Sequence, residues 1–330
     1  MKSKAKWVLA LLLILSIISM SVACAPSTPA TTDTEGKKPV DTDAPDDGKE
    51  PVVYFCISHM TNAWAITASE SMEAEAKKQG ANLTVLEAGQ DINTQVSQVE
   101  MAVTNGADAI IIEPVSAEGA IAAIKKAEQD GVRVIVYNQN IADPSQATTF
   151  VGVSNADMGY MEMKAAIDAI DGKGNVVLLL GPMGSEGQIG RSAGYDKALK
   201  EYPDVNVVFE EDAQWTTEAA LKLVENWIST GTEINAVVSQ NDNMALGAIK
   251  AFEDAGIDGV PVYGVDAVDD ALKAIKKGRL TGTVDQATAE QSRLAIEVAI
   301  KLSKGEAVEK EYLAEPTLID ISNVDDYLTE

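Results

Sequence analysis

SQNDNMALG, residues 239–247, ends an apolar run (234–238) in a cluster of polar side chains and then restarts with the periodicity of a helix. A run of that length reads as a buried strand. The polar groups at its carboxyl end, Asn241 and Asp242 among them, stand where open α/β sheets bind small molecules. ADAIIIEP at 107–114 has the same form, and each copy is followed by a helical stretch and a second strand: GVRVIVYNQN at 131–140 and GVPVYGVDA at 259–267. Two similar halves that end their strands in polar groups imply a cleft between them.

Outward from these segments, short apolar runs alternate with helix-length ones. Strands are expected at 52–57, 83–86, 109–112, 132–137 and 150–151, and again at 176–180, 205–209, 236–238, 260–263 and 280–284. The stretch 117–130 gathers Ala117, Ala120, Ile121, Ile124 and Ala127 on one face, opposite Lys125, Lys126 and Glu128. That is the pattern of a helix packed on a sheet. Further helices are expected at 188–201, 216–230, 243–255, 268–277 and 287–303. Such alternation means right-handed βαβ units and parallel sheets covered on both faces. The fold class is α/β, with two doubly wound, Rossmann-like lobes, each built on a parallel sheet, joined by several hinge crossings. After Asp285 and Gln286 the chain is expected to cross back, which divides it into an N-terminal lobe (51–153 plus 287–314) and a C-terminal lobe (154–286 plus 315–330).

The first residues read as an export signal: Lys2, Lys4 and Lys6 precede an apolar core at 7–18. Ser21, Val22 and Ala23 then lead into Cys24. Small residues before a cysteine resemble the lipobox of bacterial lipoproteins, with Ser21 where leucine is usual. The resemblance implies a signal peptide at 1–23, a lipid anchor on Cys24 and an extracytoplasmic, membrane-anchored protein. Residues 24–51, rich in Thr, Asp, Pro and Gly, lack the apolar surface to offset their ordering entropy and read as a flexible tether. The formal net charge of −25 argues against nucleic acid as a partner. Cys56 stands alone in an apolar strand, so no disulfide framework is expected.

Five motifs then line up in order and spacing: HMTNAWA at 59–65, GRSAGY at 190–195, SQNDNMALGA at 239–248, YGVDAVDD at 263–270 and GTVDQ at 282–286. Over 52–286 the chain resembles the periplasmic sugar-binding proteins of ABC transporters (type I periplasmic binding proteins), the ribose binders most closely. The resemblance implies three interlobe crossings and closure on one sugar, in a monomer without cofactor or enzymatic activity that serves an ABC transporter permease.

A sugar presents hydroxyls that both donate and accept, beside apolar C–H faces. It therefore calls for amides and carboxylates, an arginine fork and aromatic rings. The resemblance assigns ligand contacts to Asn62, Trp64, Arg191, Trp215, Asn241, Asp266 and Gln286. Trp64 also reads as a core residue of the helix it opens, and Ala65 stands where the family usually has another aromatic. Asp242 is read as the cap of the helix after Asn241. At YNQN (137–140), Asn138 and Gln139 replace the Asp-Arg pair of ribose binders. Charge-assisted hydrogen bonds are about twice as strong as neutral ones. The exchange argues against ribose itself; a different pentose, a hexose, or a linear or cyclic polyol suits a more neutral site, and the residues do not rank them. His59, the only histidine, stands beside the site and reads equally as a loop residue.

Other classes share some of these features. A sensory receptor domain would use the same fold and site, and a carboxylate-based glycoside hydrolase would need a second acid about 5–10 Å from Asp266. A sugar-responsive repressor would need DNA-binding helices where the signal and tether stand. GPMGSEGQIG at 181–190 matches neither the phosphate loop nor the dinucleotide fingerprint, and reads as a flexible turn near the cleft. One histidine with one unpaired cysteine builds neither a zinc site nor a histidine-based triad.

Overall fold

The computed structural model describes residues 49–328. The signal segment, Cys24 and the tether as far as residue 48 lie outside the described residues.

The first sheet uses β1 (Val52–Ile57), β2 (Asn82–Glu87), β3 (Ala109–Ile112), β4 (Arg133–Asn138) and β5 (Thr149–Gly152), with α1 (Ala63–Gln79), α2 (Ile92–Thr104) and α3 (Ile121–Gln129) between them. After α4 (Asn155–Ala169) the second sheet repeats the plan with β6 (Gly174–Leu180), β7 (Val205–Asp212), β8 (Ala236–Ser239), β9 (Val262–Val265) and β10 (Gly282–Asp285). Its helices are α5 (Glu186–Glu201), α6 (Thr217–Ser229), α7 (Asp242–Ala255) and α8 (Asp269–Lys276). Then come α9 (Thr288–Ser303), β11 (Glu311–Leu313) and β12 (Thr317–Asp320).

The strand orders are β2-β1-β3-β4-β5-β11 and β7-β6-β8-β9-β10-β12, parallel throughout except where β12 runs antiparallel to β10. Both sheets thus share one doubly wound order, with its switch point between β1 and β3 in the first and between β6 and β8 in the second. Central strands such as AIII in β3 are buried on both faces and read as continuous apolar runs. Edge strand β7 exposes alternate stretches and carries the polar EED. The α/β architecture of two parallel-dominated sheets is therefore the one its sequence patterning implies.

The chain passes between the sheets at 153–154, 286–287 and 314–316. Val153, Met158, Val265 and Val284 pack into a buried apolar cluster beside the first two of these passages. Two element starts differ from the periodicity. β9 begins at Val262 rather than 260, because Pro261 has no N–H to give the ladder; it contributes only its carbonyl, to Val237 N at 2.9 Å. The helix expected from 117 starts at Ile121, since Ser116 Oγ accepts from Gly119 N and holds that stretch in a turn.

Candidate functional site

The carboxyl ends of the strands of both sheets face one hollow, lined from both lobes. His59, Asn62 and Trp64 line it after β1, Asn138 and Gln139 at the end of β4, and Gln286 at the end of β10. Arg191 comes from α5, Trp215 from the β7–α6 turn, Asn241 from the end of β8 and Asp266 from the end of β9. Every side chain proposed from sequence as a ligand contact is brought to this hollow, and Gly187, in the first turn of α5, joins them. The glycine segment 181–190 is a turn only as far as Ser185, the N-cap of α5.

Local structure fixes which end of each polar group is left unspent. Asn62 is the N-cap of α1: its Oδ1 accepts from Ala65 N at 2.9 Å, and no described residue engages its Nδ2. Asn241 caps α7 in the same way, accepting from Met244 N at 2.9 Å and donating one N–H to Trp215 O at 3.3 Å. This corrects the reading of Asp242 as the cap. Asp242 is fully buried and ties α7 to its neighbours instead, accepting from Val268 N at 3.0 Å and Thr283 Oγ1 at 2.7 Å. Two adjacent residues with equal capping ability are separated only by tertiary partners.

Arg191 is buried; its Nε donates to Asn155 Oδ1 at 3.1 Å and its Nη1 to Gln240 O, which leaves Nη2 unspent. Its guanidinium lies 5.6 Å from the Trp215 ring centre, within cation–π range. That ring rests on Gly181, where a Cβ would collide with it. Trp64 is both core and wall, donating from Nε1 to Thr288 Oγ1 at 3.2 Å. Gln286 bridges the lobes: its Oε1 accepts from Asn138 Nδ2 at 2.8 Å and its Nε2 donates to Asp266 Oδ1 at 2.5 Å. Asn138 Oδ1 and Asp266 Oδ2 are left as acceptors. His59 Nδ1 accepts from Thr61 N at 3.3 Å, so the neutral ring carries its proton on Nε2. Burial holds its pKa below the usual range, against the opposing pull of Glu87.

The backbone that aims these groups is strained. Asn138, Trp215 and Asp266 have φ of 61°, 60° and 123°, and Ala287, next to Gln286, has 53°. Left-handed backbone at such residues costs about 1–3 kcal/mol each. At Asn138 the strain closes a γ-turn, with Gln139 N donating to Tyr137 O at 2.7 Å.

Carboxylates crowd behind the hollow. Burial raises Asp266 and Asp242, each further disfavoured by a neighbouring carboxylate, while Arg191 draws Asp266 back down. Glu162 on α4, bonded by Tyr195 Oη at 2.6 Å and Ser239 N at 2.9 Å, is pushed up by burial to about 8, and Glu113 at the end of β3 to about 7. Below these values the native protein holds protons that an unfolded chain releases near its ordinary carboxylate value. Stability contributed by Glu113 and Glu162 is therefore present in mild acid and lost as pH rises through about 7–8. A melting temperature that falls between about pH 5 and pH 8 is expected, with Glu162→Gln flattening the fall; a wild-type melting temperature that rises over that range contradicts it. Buried Cys56, its thiol pushed up to about 12, is chemically quiet.

Comparison with known proteins gives a family match over residues 53–307, to the periplasmic binding protein domain. A xylitol-binding protein of Mycolicibacterium smegmatis is 37% identical over 257 residues, covering 78% of this chain and 73% of that protein. Among solved structures, an ABC transporter solute-binding protein of Bacillus halodurans with bound myo-inositol superposes with a TM-score of 0.82 at 32% identity, covering 86% of this chain and 99% of that one. An ABC transporter periplasmic solute-binding protein of Actinobacillus succinogenes with bound D-allose gives 0.81 at 31% identity, covering 84% and 100%. With strand order, interlobe hollow and sequence all in agreement, this chain belongs to the periplasmic binding protein domain family.

Proposed function

We propose that this protein captures one uncharged monosaccharide or polyol between its lobes, outside the cytoplasm, and delivers it to an ABC transporter permease, tethered to the membrane through a lipid on Cys24. The observation that carries the reading is the pattern of unspent groups around the hollow. Donors remain on Asn62, Asn241, His59 and Arg191, acceptors on Asp266 and Asn138, with indole rings from both lobes among them. Hydroxyls, which donate and accept at once, match such a mixed lining, and C–H faces match the rings. A single carboxylate, Asp266, lines the hollow. Carboxylate-pair hydrolysis needs two, so the arrangement favours binding over turnover. The residue divisions read from sequence, 51–153 plus 287–314 and 154–286 plus 315–330, fit a mechanism in which ligand bonded from both lobes favours the closed form by its differential affinity for it.

Relatives named for xylitol and bound to myo-inositol, together with the neutral Asn138–Gln139 pair, favour a polyol over ribose. A thermal-shift screen across xylitol, other pentitols, inositols, pentoses and hexoses tests this, because a ligand that binds only the folded state raises the melting temperature by mass action. Asp266→Asn is then expected to weaken the best ligand by about 1.5–3 kcal/mol, as for bonds to a charged group, or about ten- to 150-fold by calorimetry. Unchanged affinity in that variant removes Asp266 from the site.

A further inference from the structure

Glu113 makes no contact with the hollow, yet it controls a residue that does. It is fully buried, and both its carboxylate oxygens are spent: one accepts from Ser58 N at 2.9 Å, beyond the end of β1, the other from Gln139 Nε2 at 2.5 Å, beyond the end of β4. Its backbone carbonyl accepts from Gln95 Nε2 of α2 at 2.8 Å, which fixes the residue from a third side. An ionised carboxylate can only accept, so it dictates how the Gln139 amide faces: NH2 toward Glu113, carbonyl away from it. Away from it lies the other lobe, where Gly187 N donates to Gln139 Oε1 at 3.3 Å. Gly187 is in the first turn of α5, whose leading N–H groups have no partner within the helix. The result is a chain of bonds from the core of the first lobe to the rim of the second, in which each amide end is committed.

We infer that Glu113 is a positioning residue for lobe closure: ionised, it presents the Gln139 carbonyl to Gly187 and latches the cleft; on taking a proton from solvent, it becomes a donor and lets the amide turn over, which sets N–H against N–H and undoes the latch. This goes beyond the proposed capture of a polyol and does not depend on the identity of the ligand. Burial places the Glu113 carboxyl at about 7 despite the bonds from Ser58 and Gln139, so the latch strengthens as pH rises through neutrality. Three other titratable groups face this seam. Tyr137 of β4, its phenol raised by burial and by Glu113, stays neutral, and burial holds His59 beside Ser58 below its ordinary value, against the pull of Glu87. Glu186, across the cleft, takes a hydrogen bond from the Asn140 backbone and is also raised by burial, so it titrates in the same seam.

The test reads closure without any ligand. In the full chain, a donor–acceptor dye pair on Lys126→Cys of α3 and Lys222→Cys of α6, both exposed, reports the separation of the lobes. The closed-to-open ratio of the otherwise unaltered protein is expected to rise between about pH 6 and pH 8. Glu113→Gln keeps the shape and the bond to Ser58 but turns an NH2 toward Gln139. It is expected to lower the ratio at pH 8 about three- to tenfold, the worth of one hydrogen bond, and to leave only the pH response owed to Glu186. Exchanging the two groups (Glu113→Gln with Gln139→Glu) restores both bonds, because the carboxylate now at position 139 accepts from the amide now at position 113 with one oxygen and from Gly187 with the other; closure is expected to recover. Should Glu113→Gln not fold, Gln139→Met, at a half-buried rim position, removes the latch together with the bond to Glu113 and is expected to show the same loss of closure. Wild-type closure in Glu113→Gln or in Gln139→Met, an unchanged pH slope in Glu113→Gln, or an exchange variant no better than the single one, each overturns the inference.

Discussion

Replacing Arg191 with methionine is expected to lower the unfolding free energy by about 3–4 kcal/mol and to abolish measurable ligand binding. Methionine fills much of the same space, so the loss is polar in origin. Asn155 Oδ1 and Gln240 O, both buried with the guanidinium, are left without their donor. Each unsatisfied acceptor costs about 1–3 kcal/mol, offset in part because a buried cation is no longer desolvated. The loss has a pH signature. Arg191 draws Glu162, Asp266 and Glu186 toward ionisation. Without it their folded-state pKa values rise further, the native state keeps protons to higher pH, and the deficit relative to wild type is smaller at pH 5 than at pH 8. Denaturant melts at the two pH values check this; a deficit equal at both would show that Arg191 acts by packing alone. Ligand then loses an unspent Nη2 donor and the cation that holds the Trp215 ring, so binding fails beyond what stability explains.

Much of this arrangement was legible in the sequence, and the parts that were not share a cause. Strand ends could be read because a parallel sheet buried on both faces leaves an unbroken apolar run, and the run's polar terminus, as in Asn138, Asn241 or Asp266, marks the edge where ligands sit. Helix α4 escaped the same reading because its buried face carries Asn155, Gly159 and Glu162 beside Met158 and Met163, which blurs the apolar period. Glu113 ends the III run of β3 as plainly as Asn241 ends β8, but its partner is a side chain beyond the next strand, a relation that only the register of β3 on β4 creates. Gly187 carried no signal at all: it matters for a backbone N–H, which every residue but proline offers, and only the placement of the helix start opposite Gln139 singles it out.

Placement of that helix rests on two glycines, and substituting one of them should cost nearly as much stability as removing Arg191 itself. A Cβ on Gly194 of α5 would strike Ala156 O, Tyr160 N and Gly159 C, and one on Gly159 of α4 would strike the backbone of Arg191. The two helices therefore meet backbone to backbone, and the contact fixes the height at which Arg191 enters the hollow. Side chains move aside for an intruding methyl; main chain bonded in two helices does not. Gly194→Val is accordingly expected to cost about 3 kcal/mol, the upper end of the usual range for overpacking, and to weaken ligand binding by displacing α5. Gly80→Ala supplies the contrast. Gly80 ends α1 with φ of 78° and open space around its Cβ position, so that variant is expected to cost only about 1–2 kcal/mol of backbone strain and to leave affinity unchanged. Thermal melts and calorimetry on the pair separate a contact that aims the arginine from a general intolerance of glycine replacement. Equal losses of affinity in both variants would mean that the α4–α5 contact has no particular hold on the site.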